Sequence, residues 1–181
     1  MIKFNFNKEN AVAATLYILN KVGRIDFHKL FKILYFAEQK HLVLYGKPIT
    51  GDEYIAMPDG PVPSVIYNIL KSIREQSDFP LNFTDYNKIF SVEGRYFIQA
   101  LMKADIDSLS ESQMECLNES IDENQNLSFA QLRNKSHDIA WGNAATNYEI
   151  AFDDIAACGG ANDTMLSYLK TVSENQTAKL C

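Results

Sequence analysis

The chain has 181 residues, 46% of them hydrophobic and 22% charged, with 11 Phe, 9 Tyr, 8 Gly and 5 Pro. These proportions describe one soluble globular domain able to bury its own core, and they exclude an intrinsically disordered chain. A formal net charge of −6 argues against a general nucleic-acid binder.

Spacing predicts a first helix over about Lys8 to Val22, with Asn7 as its N-cap, Val12, Leu16 and Leu19 on one face, and Gly23 as a left-handed stop. A second is predicted from Asp26 to Tyr45, capped by Asp26 and ended by Gly46 and Pro48. A short strand from Glu53 to Met57 precedes Pro58-Asp59-Gly60-Pro61-Val62-Pro63, which reads as a rigid turn because such a run cannot lie inside a helix. Val62, Val65, Ile66, Ile69, Leu70 and Ile73 then share one face of a third helix. Ile89 to Val92 and Tyr96 to Ala100 form a hairpin around Glu93-Gly94. Two later helices announce themselves with capping boxes, Ser110 to Gln113 and Ser128 to Gln131, flanked by staple pairs Leu109/Met114 and Leu127/Leu132. A last helix follows Gly159-Gly160, capped by Asn162 or Asp163. No linker or internal repeat interrupts the chain. The expected fold class is mainly α: a single compact domain over 1–181, of about six to eight helices with a small antiparallel sheet or hairpin.

The second helix carries apolar residues on two sides. Phe27, Leu30, Phe31, Leu34, Ala37, Leu44 and Tyr45 fill a core stripe, while Phe36 and Val43 lie opposite among His28, Lys29, Lys32, Gln39 and Lys40. Either another element covers that second face, or it is an apolar patch with a basic rim suited to a protein partner. Charge adds to the question. Residues 1–50 hold eight basic and three acidic residues, 51–100 four and seven, and 101–181 five and thirteen, giving +5, −3 and −8. That asymmetry means either an ordinary surface whose parts attract one another or a basic helical face that meets an acidic partner.

Chemistry-bearing motifs are scarce. The sequence has no Walker A, dinucleotide fingerprint or G-x-S-x-G, and His28, His41 and His137 lack any zinc spacing. The neighbouring acids Asp52-Glu53, Asp122-Glu123 and Asp153-Asp154 would diverge by about 100° on a helix, so they are no paired catalytic acids. His137-Asp138 with Trp141 is the most catalytic-looking cluster, with Cys158 a conceivable nucleophile, yet it reads better as a histidine that packs and hydrogen-bonds. No run approaches the ~18 apolar residues of a membrane span, and the first residues lack a secretory signal's apolar stretch. The C-terminus lacks a prenylation motif. Cys116, Cys158 and Cys181 are odd in number and far apart, which suits reduced thiols and a cytoplasmic location.

Read together, Lys29-Leu30-Phe31-Lys32-Ile33-Leu34-Tyr35-Phe36-Ala37, Tyr45-Gly46-Lys47-Pro48-Ile49-Thr50-Gly51-Asp52, Tyr54 to Pro63 and Val65-Ile66-Tyr67 form a pattern. It resembles the Panacea-domain family, the SocA-like antitoxins of bacteria and their phages. That family's pattern is K-L-x-K-L-L-Y-F-A, then G-x-P-[LI]-x-x-[DE]-x-[FY]-x-A, then G-P-V-x-x-x-[VI]-Y. The step from Leu109 to Gln113 and the pair His137 and Trp141 also fit, so the resemblance covers about 10–145. Phe31, Ile33 and Asp59 are small departures from it.

The resemblance implies a helical domain that neutralises a protein toxin encoded beside it. It implies no enzymatic activity, cofactor or metal. Some members carry a DNA-binding helix-turn-helix that represses their operon; none is apparent here before Asn10 or after Trp141. The expected partner site is Lys29, Lys32, Phe36, Lys40 and Val43 on the second helix, with Asp52, Tyr54, Asp59 and Tyr67 around the turn. The alternatives are a transcriptional regulator of its own operon and an adaptor that delivers the bound toxin to a protease.

Overall fold

In the computed structural model, which describes residues 2–77 and 86–178, short-range signals set most element ends. Helix α1 (Lys8–Val22) begins where the Asn7 side chain accepts the N–H of Asn10. It stops at Gly23, whose φ of 79° and ψ of −151° make a glycine-only extended turn instead of the expected left-handed helical stop. The chain therefore steps straight into a two-residue strand, β1 (Ile25–Asp26). Helix α2 (Phe27–Tyr45) is capped by Asp26 through the N–H of Lys29 and ends in the left-handed Gly46.

Strand β2 (Tyr54–Met57) pairs antiparallel with β3 (Gly60–Pro63), in a register running from Tyr54 opposite Pro63 to Met57 opposite Gly60. The proline-rich segment expected as a turn is thus a turn plus a strand. Register is the reason: Pro61 and Pro63 occupy alternate positions facing away from β2, so Gly60 and Val62 supply the ladder's donors. The other edge of β2 is taken by residues 147–150, with Ala56 N–H donating to Tyr148 O, Asn147 N–H to Ala56 O and Ile150 N–H to Tyr54 O.

Helix α3 (Ser64–Glu75) follows the hairpin, and α4 (Tyr86–Ile89) leads into β4 (Phe90–Glu93) and β5 (Phe97–Ala100). These strands and β1 form an antiparallel sheet in the order β1-β5-β4. Both expected capping boxes are present, at the starts of α5 (Glu111–Asn124) and α6 (Phe129–Ser136). Short helices α7 (Ile139–Asn143) and α8 (Phe152–Cys158) precede α9 (Asp163–Ala178), whose Met165 N–H is held by Asn162. The described residues thus form a mainly α, compact unit with nine α-helices, three of them (α4, α7, α8) too short to show a period in the sequence.

α2 lies between two hydrophobic clusters. Phe27, Leu30, Phe31 and Leu34 join α1, α3, α5 and the three-stranded sheet, whereas Tyr35, Phe36 and Leu42 join Ile2, Phe4, β2, α7, α8 and α9. Its second apolar face is therefore covered, and Phe36 keeps 5% exposure. Close approach of α8 depends on Gly159, where a Cβ would stand 2.6 Å from Gln39 Cγ and 2.8 Å from Val43 Cγ2. Cys116 is buried and Cys158 half-buried, both free thiols, and Cys181 lies outside the described residues. Among the described residues no helix is long and apolar enough to cross a membrane.

Candidate functional site

The face expected to meet a partner is organised around a buried lysine. Lys32 is 1% exposed, and its Nζ donates to Pro61 O at 2.9 Å, on the outer edge of β3. Burial lowers its pKa to about 7, with the Asp59 charge acting in the opposite sense. Gly60, at φ 100°, makes the room: a Cβ there would lie 2.9 Å from Lys32 Cε and 2.4 Å from Ser136 Oγ. The Gly-Pro-Val step is thus a seat for an amine.

Side chains from three helices hold the hairpin tip above that seat. His28 Nε2 donates to Asp59 O at 3.1 Å, Arg133 Nε to Asp59 Oδ1 at 3.1 Å, and Trp141 Nε1 to Met57 O at 2.9 Å. Because a carbonyl only accepts, His28 carries a proton on Nε2. Burial and the Lys32 charge lower its pKa, so it is neutral near pH 7. Its ring stacks on Phe129 with centroids 4.1 Å apart, and His137 lies flat on Trp141 at 3.8 Å and 4°.

Two buried carboxylates secure the segment between α2 and α3. Glu38 accepts the N–H groups of Ile49 and Thr50 and the Thr50 hydroxyl. Asp52 accepts the N–H groups of Val65 and Ile66, each at 2.9 Å, and so caps α3, whose own N-cap, Pro63, has no capping side chain. Burial pushes Asp52 up to about 6 against these bonds and raises Glu38 as well. His41 completes the arrangement, donating from Nδ1 to Lys47 O at 2.6 Å while Nε2 accepts from the Ser112 hydroxyl at 3.1 Å. Glu38 and His41 did not stand out in the sequence. The available signal was a charged and a polar residue set within an otherwise apolar helical stretch.

Of the nine residues expected at the partner site, Lys32, Phe36, Asp52 and Tyr54 are buried. Tyr54 packs edge-on against Tyr35 at 5.3 Å, and the Tyr35 hydroxyl donates to Asp138 Oδ2 at 2.8 Å. Lys29, Lys40, Val43 and Tyr67 are half-buried, and Asp59 is exposed. Tyr67 is set apart from the others, its ring edge-on to Phe31 in the first cluster at 6.0 Å. Lys29 Nζ donates to Gln125 O at the C-terminal end of α5 at 2.7 Å. Lys40 pairs with Glu119 at 3.2 Å and Glu123 at 2.7 Å. Partial burial acts to lower the Lys40 pKa, but its bonds to those carboxylates prevail and raise it.

A cleft of about 290 Å³ opens over Phe36, walled by Gln39, Lys40, Glu123, Lys135, Asp138, Cys158 and Gly159. Lys135 Nζ stands 4.3 Å above the Phe36 ring and bonds Asn124 Oδ1 at 2.7 Å. The lysines around this cleft are thus engaged by α5. Among the described residues no three His, Cys, Asp or Glu side chains gather to hold a metal ion.

The stretch that builds the lysine seat, the two carboxylate caps and the pinned hairpin is also where the chain matches a known family. Residues 30–142 fit the description "Antitoxin SocA-like, Panacea domain". The chain belongs to this antitoxin family. The Panacea match begins within α2 and ends in α7, a narrower span than the expected 10–145, and α1, α8 and α9 lie outside it. No curated protein and no solved structure matches the chain.

Proposed function

We infer that the chain is a non-enzymatic antitoxin that acts as one domain in the cytoplasm, where it binds and masks a protein toxin encoded beside it. The family match over 30–142 carries this reading. The way the motif residues are used supports it: Lys32, Asp52 and Trp141 are occupied in holding the fold, which leaves surface side chains to suit a particular partner. Lys29, Lys40, Val43, Asp59 and Tyr67 remain the proposed contacts on this side. Lys32, Phe36, Asp52 and Tyr54 would act through the surfaces they shape.

Co-expression with the product of the adjacent gene tests the reading. The neighbour alone should arrest growth, the pair should grow, and the two should co-purify as a stable complex. A neighbour that is harmless alone and forms no complex would refute it. Partner levels that fall in wild-type cells, and recover in protease-deficient ones, would replace masking by delivery to a protease. A salt-dependent shift of the operon's promoter DNA by the isolated chain would favour the regulator instead.

A further inference from the structure

Three side chains near the C-terminal end of α2 form an apolar patch left open among the described residues: Leu44 is 56% exposed, Tyr45 39% and Tyr168 46%. Tyr168 adjoins the residue that follows Tyr45, and Leu44 precedes Tyr45 on α2. The Tyr168 ring lies against Gly46, where a Cβ would stand 2.4 Å from its Cδ1. The Tyr45 hydroxyl donates to Glu115 Oε2 at 2.9 Å, which joins the patch to the outer side of α5. On that helix Glu111, Glu115 and Asp122 fall within about 40° of one another. α5 carries five acidic residues and no Lys or Arg. Lys40 and Lys135 pair with Glu119 and Glu123, whereas no ion pair among the described residues engages Glu111, Glu115 or Asp122.

We propose that this patch anchors the toxin, which presents to it a cationic surface of Arg or Lys around an apolar socket. This rests on the antitoxin reading above. Charge complementarity selects that occupant, because a second copy would set the same carboxylates face to face, and nucleic acid or an anionic membrane would be repelled. Two other exposed aromatic rings are already engaged within the molecule: Phe97 lies under Arg24, which pairs with Glu93, and Phe129 is stacked on His28.

The test uses the full chain and the protein encoded by the adjacent gene. Leu44→Ser with Tyr168→Ser should weaken the complex by roughly tenfold or more. Glu111→Lys with Glu115→Lys should slow association about tenfold at low salt, a difference that closes near 0.5 M salt. Leu101→Ser with Met102→Ser, at an exposed apolar pair past β5, should bind as the wild type does. All variants should keep the wild-type unfolding midpoint, which separates lost contact from lost fold. If the wild type binds and rescues growth while both patch variants match it, the patch proposal falls and the antitoxin reading stands. Binding lost only in the Leu101 and Met102 variant moves the interface to the three-stranded sheet and also overturns the proposal. A wild type that neither binds nor rescues removes both.

Discussion

An ammonium removed from water ordinarily needs a carboxylate beside it, and Lys32 has the carbonyl of Pro61. Its pKa is about 7 in the fold against 10.5 for an ordinary lysine. Between those values the unfolded chain binds the extra proton, so this residue's contribution makes stability rise with pH from about 7 upward. Lys32→Met keeps the packed stem and removes the titration. The wild type should therefore gain on the order of 2 kcal/mol over Lys32→Met between about pH 7 and pH 9, read by denaturant unfolding at each pH. An unchanged difference would mean that the amine stays charged when buried. In the sequence the spacing of Lys29, Lys32 and Lys40 reads as a charged face. Burial of the middle one depends on Gly60 and Ser136, residues distant along the chain, so helical periodicity carries no sign of it.

At the level of elements, four caps that hold an N–H three residues on were legible, whereas the Asp138 cap of the short α7 and the distant cap of α3 were not. Asn7, Asp26, Ser110 and Ser128 each hold an N–H three residues on, a distance that local pattern reading covers. α3 takes its cap from Asp52, 13 and 14 residues back, which only the folded hairpin brings into place. Asp52→Ala should cost about 1–2 kcal/mol and speed amide exchange at Val65 and Ile66 first. Asp52→Asn, with one carbonyl oxygen still accepting, should recover part of the loss, and equal costs for the two would argue against the cap. β3 was misread as turn because composition predicts where proline breaks a helix but not which edge of a strand it faces. α7 and α8, of 5 and 7 residues, are too short for a periodic signal.

For the molecule as a whole, α2 is the wall between two cores, so neither core closes without it. Phe36→Ala should cost about 3–5 kcal/mol in denaturant unfolding. The loss should appear in one transition, because both clusters share the helix, and two separated transitions would contradict the shared wall. The segmental charge asymmetry was visible in the sequence, and its resolution was not: Lys40 meets Glu119 and Glu123, Lys3 meets Glu53 and Glu149, and Arg24 meets Glu93. These three basic residues are thereby engaged inside the molecule, while α5 carries carboxylates, Glu111, Glu115 and Asp122, that no ion pair engages among the described residues. The two-stranded hairpin has a separate consequence, for the manner of recognition. Residues 147–150 occupy one edge, and two prolines with no N–H to give line the other, where Lys32 already holds a carbonyl. This hairpin cannot template a strand from another chain, so it offers neither a route to β-aggregation nor a slot for an extended peptide.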